Sequence, residues 1–273
     1  MPEAVNLSPQ RTRPSYRFLY TPRWLAGHVL AVLALAVMVA ACFWQLSRLA
    51  DKQATNRLYA AHSAQPVEAV TDVAGPDATV AQVEGLRFRL LSAQGTYLRE
   101  EEVFIRSRSL NGNPGAWVLT PLRLSAQPDT VVVINRGWIP ASDTTPELPA
   151  GAEAPAGTVT VAGLALATET RGALGSVDHS GTELDVLARV DLPRLSEQLE
   201  EAMYPFYLQL QQQDPPLPDG FPAPVPPPPP DEGPHRGYAG QWAIFAVLWV
   251  IGYPLLVRRS ARRRVLPDLA ARN

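Results

Sequence analysis

Residues 24–46 read WLAGHVLAVLALAVMVAACFWQL, a run of 23 residues without Asp, Glu, Lys or Arg. At 1.5 Å per residue, such a run forms a helix of about 34 Å, which exceeds the ~30 Å hydrocarbon core of a bilayer. A second uncharged run, residues 238–257 (YAGQWAIFAVLWVIGYPLLV), lies near the other end of the chain and would span about 30 Å. The sequence therefore predicts two transmembrane α-helices that flank everything between them.

Arginine is concentrated on the outer flanks of the two runs. Four arginines precede the first run and five follow the second, namely Arg11, Arg13, Arg17, Arg23, Arg258, Arg259, Arg262, Arg263 and Arg264. Because basic residues favour the cytoplasmic side of a membrane, residues 1–23 and 258–273 are predicted to be cytoplasmic tails. We therefore expect a multi-pass protein of the plasma membrane, with its central part extracytoplasmic.

The first run has two other interpretations, both of which stay open at this point. A cleaved signal peptide would have an apolar region of about 7–15 residues, shorter than the run observed. Residues 39–42 (VAAC) resemble a lipoprotein processing box, which would make Cys42 a lipid-bearing N-terminus. However, Phe43, Trp44 and Leu46 continue the apolar run where a polar tether would be expected. The mass of the mature N-terminus would decide between them.

The segment between the runs, residues 47–213, is predicted to be one β-rich α+β domain with an antiparallel sheet or barrel. Short runs suited to strands occur at residues 87–97, 103–107, 116–124, 130–135, 158–166 and 204–211. Residues 111–115 (NGNPG) are typical of a hairpin turn between the second and third runs. Helices are expected only in a polar stalk that continues the first run and ends before Pro66, and at residues 192–203.

Residues 214–237 are predicted to be a proline-rich spacer. Between Asp214 and Pro234 the chain contains eleven prolines, including five in succession at 226–230. Proline lacks a backbone N–H and fixes φ, so neither a helix nor a central strand is expected there. An extended polyproline conformation, at about 3.1 Å per residue, would join the domain to the second run as a semi-rigid connection.

Composition and motifs exclude several classes of function. The formal net charge of −2 provides no basic field for nucleic acid, so we expect no nucleic-acid partner. The single cysteine, Cys42, excludes an internal disulfide and a CxxC metal or redox site. Residues 178–180 (Asp-His-Ser) have triad residue types, but adjacent side chains diverge and cannot form the relay. No catalytic residue can be named, which disfavours an extracytoplasmic hydrolase, and we expect a protein that is not an enzyme.

His235 is the residue that suggests a cofactor. It lies three residues before the second run, at the predicted water–lipid boundary. An imidazole there can reach both the polar boundary and an apolar cavity, as axial ligation of haem requires. His28 lies within the first run, where a polar side chain often contacts the neighbouring helix.

Five short motifs are spread in order along nearly the whole chain. They are FWQLxR at 43–48, GxY at 95–97, GAWVLTPLRL at 115–124, NRGWIP at 135–140 and HxxYAxQW at 235–242. In this order, and with the NRGWIP segment above all, the chain resembles the Surf-one (Surfeit locus protein) family of cytochrome c oxidase assembly factors. The proline tract directly before His235 and the Ala-rich residues 141–156 depart from the family pattern.

The resemblance implies an assembly factor that binds or delivers haem a to the catalytic subunit of cytochrome oxidase, in contact with the haem a synthesis machinery and the lipid membrane. It also implies that His235 is a ligand of the haem iron. We expect Tyr238, Trp242 and Trp44 to complete this site, where the two transmembrane helices meet the extracytoplasmic side, with Gln45 beside Trp44 at the outer end of the first helix. The alternative is a membrane-tethered scaffold or sensor that binds only protein partners through its β-rich domain.

Overall fold

The computed structural model describes residues 16–141, 146–172, 185–216, 220–227 and 230–270 of the 273-residue chain. The chain divides into two compact units. Unit 1 combines Met1–Ala54 with Asp231–Asn273, and unit 2 is Thr55–Pro230. The two long apolar helices belong mainly to unit 1, and the β-rich domain forms unit 2.

In the described part of the chain, two helices are long and apolar enough to cross a membrane. Helix α1 is Pro22–Ser63, so the predicted polar stalk that ends before Pro66 is confirmed. Its first residue is a proline, which fits because the first N–H of a helix has no partner inside the helix. The C-terminal helix, His235–Ala270, starts three residues earlier than the uncharged run and therefore includes His235.

Unit 2 begins with short elements that lead into its sheet. Strand β1 (Glu68–Ala69) is followed by helix α2 (Val70–Val73) and helix α3 (Val80–Leu86). Thr79 starts α3 with a capping box, because its side chain accepts from the N–H of Gln82 while the Gln82 side chain accepts from the N–H of Thr79. The sequence analysis did not predict these short helices, since each is too short to show a helical period.

Among the described residues, five strands close into a barrel. They are β2 (Leu90–Tyr97), β4 (Asn113–Leu124), β5 (Thr130–Pro140), β6 (Thr158–Ala167) and β8 (Ala202–Asp214), and their order is β2-β6-β8-β5-β4, with β4 pairing back onto β2. Strand β3 (Val103–Leu110) extends the sheet from β4, and β7 (Val186–Leu187) lies beside β3. The predicted β-rich domain with a barrel is confirmed.

The barrel is not purely antiparallel, which corrects one part of the prediction. Strands β5 and β8 run parallel, with Ile134 opposite Leu208. Strand β6 lies between β5 and β8 in sequence, but it pairs with β2 and β8 and not with β5. Strand β8 runs antiparallel to β6 and in the same direction as β5. A parallel pair cannot be joined by a hairpin and needs a long connection, which local sequence patterns do not reveal.

The predicted hairpin at residues 111–115 is confirmed. Asn111 and Gly112 connect β3 to β4, and both have positive φ, 52° and 82°. A two-residue turn of this kind requires left-handed backbone at both positions, and Asn-Gly meets that requirement at the lowest steric cost.

The helix expected at residues 192–203 is wrong over most of its length. Helix α4 is only Leu192–Leu195, and a short 3-10 turn follows at Ser196–Gln198. Pairing between β5 and β8 begins at Thr130 and Ala202, so the chain must already be extended there. The tertiary pairing of a buried strand thus outweighs the local helical spacing of the leucines.

A buried ion pair joins strand β5 to the residue directly before β3. The Arg136 side chain is fully buried, and its Nη1 donates to Glu102 Oε2 at 2.9 Å. Its Nη2 donates to the carbonyl oxygen of Ala152 at 2.6 Å, and Thr120 Oγ1 donates to the same Glu102 oxygen at 2.6 Å. Each charge is thereby matched by a counter-charge and by further hydrogen bonds, as a buried ion pair requires.

Tyr97 completes this buried cluster. The Arg136 guanidinium lies over its ring at 5.7 Å. Burial raises the pKa of the Tyr97 phenol above its ordinary value, so the group stays protonated and donates to Gln213 Oε1 at 2.7 Å. The arginine of the NRGWIP segment therefore has a structural role in the barrel.

Part of the proline-rich tract packs against the barrel. Ala223 exchanges two backbone hydrogen bonds with Trp138, each 2.7 Å long. The Gln209 amide donates to the carbonyl oxygen of Val225 at 3.0 Å. Gly137 has φ +145°, and a Cβ at this position would lie 2.5 Å from the Ala223 carbonyl oxygen, so only glycine permits this approach.

These contacts add detail to the predicted semi-rigid spacer over residues 214–237. Strand β8 ends at Asp214, the segment around residues 223–225 is bonded to the barrel, and the second long helix already begins at His235. Proline holds the backbone extended and leaves its carbonyl groups unpaired, which makes the tract a good source of acceptors for neighbouring donors.

We predict that Glu102→Gln lowers the free energy of unfolding by about 3 kcal/mol, because it leaves the Arg136 charge buried without its counter-charge. Glu84→Gln is the matched control: its partner is Arg87, and the two side chains are 54% and 37% exposed. Its expected cost is below about 1 kcal/mol. Urea unfolding of the detergent-solubilised protein, followed by tryptophan fluorescence, measures both values, and equal costs would contradict the assigned role.

Candidate functional site

The candidate site lies on the seam between α1 and the C-terminal helix of unit 1, which is labelled α5 from here on (His235–Ala270). Along both helices, the partly or fully buried residues recur every three or four positions. On α1 they include Ala31, Met38, Cys42 and Gln45, and on α5 they include His235, Ala239, Trp242, Trp249 and Tyr253. This spacing is that of two helices packed lengthwise with interlocking side chains.

Hydrogen bonds cross the seam along its length and show that the helices run antiparallel. They join Trp249 Nε1 to the Ala31 carbonyl (2.9 Å), His28 Nδ1 to the Tyr253 hydroxyl (2.6 Å), Cys42 Sγ to the Ala239 carbonyl (3.4 Å), and His235 Nδ1 to Gln45 Oε1 (2.7 Å). Small residues such as Ala31 and Ala239 let the backbones approach closely enough for side chain to backbone bonds.

The bond between His235 and Gln45 engages Nδ1 of the imidazole. Gln45 is 9% exposed, and an amide oxygen accepts hydrogen bonds. With Oε1 as the acceptor, Nδ1 is the donor, and in the neutral ring the unshared pair then lies on Nε2. An imidazole fixed in this way through one nitrogen presents the other nitrogen as a ligand for a metal.

The three aromatic residues predicted beside His235 differ in their burial and in their position relative to the seam. Trp242 lies two turns further along α5, half-buried on the same stripe as His235. Tyr238 is 49% exposed, beside the seam. Trp44 is 54% exposed and carries the Arg48 guanidinium 5.9 Å from its ring. Trp44 is also rotated by about 100° around α1 from Gln45, the residue that contacts His235.

The direct contact of Gln45 with His235 is what the sequence did not predict. The sequence places Gln45, with Trp44, at the outer end of the first run, but predicts no bond to His235. The available signal was a polar amide at the end of an apolar run, since polar groups in such helices usually face a partner. The prediction that His28 contacts the neighbouring helix is confirmed by its bond to Tyr253.

Comparison with protein families identifies the chain. The model of the SURF1 family matches residues 32–247, which covers the facing parts of both long helices and the whole barrel unit. The chain belongs to the SURF1 family. A comparison with curated proteins gave no match. The SURF1 family is associated with cytochrome oxidase assembly, and the two candidate membrane helices fit a membrane protein.

The segments that carried the resemblance have different structural roles in this SURF1 protein. NRGWIP lies in β5, where it supplies the buried Arg136 and the contacts of Gly137 and Trp138 with the proline tract. FWQLxR and HxxYAxQW lie on opposite sides of the helix seam and meet at Gln45 and His235. The seam is therefore where two separated SURF1 segments form one polar site.

Among the described residues, no group of three or more His, Cys, Asp or Glu side chains is placed to hold a metal ion. A site that needs only one protein ligand, such as a haem site, is compatible with a single histidine. The Asp-His-Ser sequence at residues 178–180 lies outside the described residues.

We predict that Ala239→Cys forms a disulfide with Cys42, because Cys42 Sγ lies 3.4 Å from the Ala239 carbonyl oxygen across the seam. Ala243→Cys, one turn further on the exposed face of α5, is the control and should leave both thiols free. Mass spectrometry after alkylation under oxidising conditions counts the free thiols. Equal reactivity of the two variants would contradict the helix register.

Proposed function

We propose that this SURF1 protein binds haem a through His235 and delivers it to the catalytic subunit of cytochrome oxidase within the membrane. The observation that carries the proposal is the 2.7 Å bond from His235 Nδ1 to Gln45, which leaves Nε2 as a ligand. The association of the SURF1 family with oxidase assembly supports the same assignment.

The residues present fit a haem as cargo. His235 is partly buried at the start of α5. Trp242 on the same stripe offers a large apolar surface of the kind that packs against a porphyrin. Tyr238, which is half-exposed, adds an aromatic ring with a polar end.

The proposed role needs binding and release, and it needs no catalytic step. One histidine ligand supports exchange, because the iron can pass to ligands of the acceptor subunit when the carrier offers a single imidazole. The protein is accordingly proposed to be a carrier and not an enzyme. Its proposed partners are the oxidase catalytic subunit, the haem a synthesis machinery and the lipid bilayer.

The proposed orientation places both tails in the cytoplasm and the barrel outside it. Arg258, Arg259, Arg262 and Arg263 lie in the last turns of α5, where basic side chains favour the cytoplasmic face of the plasma membrane. Gln45, at the end of the apolar part of α1, and His235, at the start of α5, would then lie at the extracytoplasmic boundary, beside the water–lipid interface.

The alternative, a scaffold that binds only protein, is favoured by one observation in unit 2. An apolar groove of about 290 Å³ lies between α3 and α4. Val80, Leu192 and Met203 are among its lining residues, and Val80 is 86% exposed. Exposed apolar surface of this kind often marks a protein contact.

We predict that deletion of the gene selectively removes haem a from the membranes of the producing cell, measured as the haem a absorbance of isolated membranes. The wild-type gene should restore the absorbance, and His235→Ala should not. His62→Ala is the matched control and should restore it, because His62 is bonded through Nδ1 to the Arg87 carbonyl in unit 2. Normal haem a in the deletion strain, with another envelope defect, would favour the scaffold.

We predict that Gln45→Leu weakens haem binding by about 10–100-fold, the usual cost of losing the group that orients a histidine ligand. Without an acceptor at Nδ1, the ring is a poorer base, and the reduction potential of the bound haem should rise. Gln45→Glu keeps an acceptor and should retain binding with a lower potential. Absorbance titration and redox titration measure both effects, and a Gln45→Leu protein identical to wild type would contradict the role of Gln45.

A further inference from the structure

The turn that precedes α5 lies against Nε2 of His235. Gly233 has φ +67°, and a Cβ at this position would lie 3.5 Å from Nε2 and 3.3 Å from Cδ2. The Gly233 N–H donates to Asp231 Oδ1 at 2.8 Å, which holds the turn in its shape. A methyl group here would be in tight contact with Cδ2 and in van der Waals contact with Nε2, so glycine leaves this edge of the ring uncovered.

Two further bonds hold this turn in place within unit 1. The Gln53 side chain donates to Glu232 Oε1 at 2.8 Å, which ties the turn to α1. The carbonyl of Pro234 accepts the N–H of Tyr238 at 3.2 Å, so the turn leads directly into the first turn of α5. The turn is thus held by a contact with α1 on one side and by the first turn of α5 on the other.

We propose that the Asp231–Gly233 turn controls access to His235 Nε2, and that Gly233 is a specificity-determining residue of this site. The glycine hydrogen lies where any other residue would place its Cβ, in contact with Nε2 of His235. The left-handed backbone further restricts the position to glycine, because other L-residues rarely adopt it. The identity of the ligand, haem, rests on the proposed function, whereas access to the nitrogen does not.

The test is the rate at which diethyl pyrocarbonate modifies His235 in the full-length, detergent-solubilised protein. This reagent acylates an unprotonated imidazole nitrogen, which at His235 is Nε2. Peptide mass spectrometry gives the rate for His235 relative to His62 in the same molecule. Gly233→Ala should slow the modification of His235 severalfold relative to His62, because the methyl group crowds Nε2.

Gly151→Ala is the matched control. Gly151 has φ +83°, and a Cβ there would meet nothing within 4 Å, so this variant has the left-handed strain without crowding at His235. Its relative rate should equal that of wild type. Asp231→Ala removes the acceptor that shapes the turn and should raise the rate at His235, which gives a second measurement if Gly233→Ala does not fold.

Haem titration of the same variants distinguishes this proposal from the proposed function. Gly233→Ala should bind haem severalfold more weakly than wild type and Gly151→Ala. Unchanged modification in both Gly233→Ala and Asp231→Ala would overturn the proposal, and so would slowed modification with unchanged haem affinity. If modification slows but wild type binds no haem, control of access stands and the haem assignment fails.

Discussion

The bond between Gln45 and His235 joins two polar side chains at the end of an otherwise apolar helix seam. An unpaired polar group in an apolar environment is costly, so each such group needs a partner. Along the seam, His28 is hydrogen-bonded to Tyr253, and Trp249 donates to the Ala31 carbonyl. Each bond of this kind contributes only about 0.6 kcal/mol on average. Together they select one register of α1 against α5, and that register brings Gln45 to His235.

The same bond links the architecture of unit 1 to its proposed chemistry. With Nδ1 engaged by Gln45, the imidazole has a defined direction, as ligands in metal sites usually do. The Asp231–Gly233 turn then lies on the side of the free nitrogen. One side of the ring is held by α1 and the other is left open by a glycine, which is the arrangement expected of a site that must accept and release a ligand.

Unit 2 is organised around a different polar contact. The buried Arg136–Glu102 pair also bonds Thr120 and the Ala152 carbonyl, so it joins parts of the chain that are distant in sequence. Beside it, Gly137 and Trp138 hold the proline tract on the barrel. The NRGWIP segment thus contributes to the stability of the barrel.

The sequence predicted those features that depend on local chemistry. The apolar runs predicted both long helices, and Asn111-Gly112 predicted the hairpin. It did not predict the parallel pairing of β5 with β8, the short α4, or the packing of the proline tract, because these depend on distant contacts. The positions of His235 and Gln45 at the ends of the two apolar runs were predicted, whereas the bond that joins these residues, 190 positions apart in sequence, could be identified only from the fold.

The most direct test of the central claim is the absorbance spectrum of the full-length protein purified from cells that synthesise haem a. The account predicts a haem a spectrum for the wild type and for His62→Ala, and its loss in His235→Ala with the barrel still folded. A haem a spectrum of equal strength in His235→Ala, or none in the wild type, would contradict the claim that His235 is the ligand.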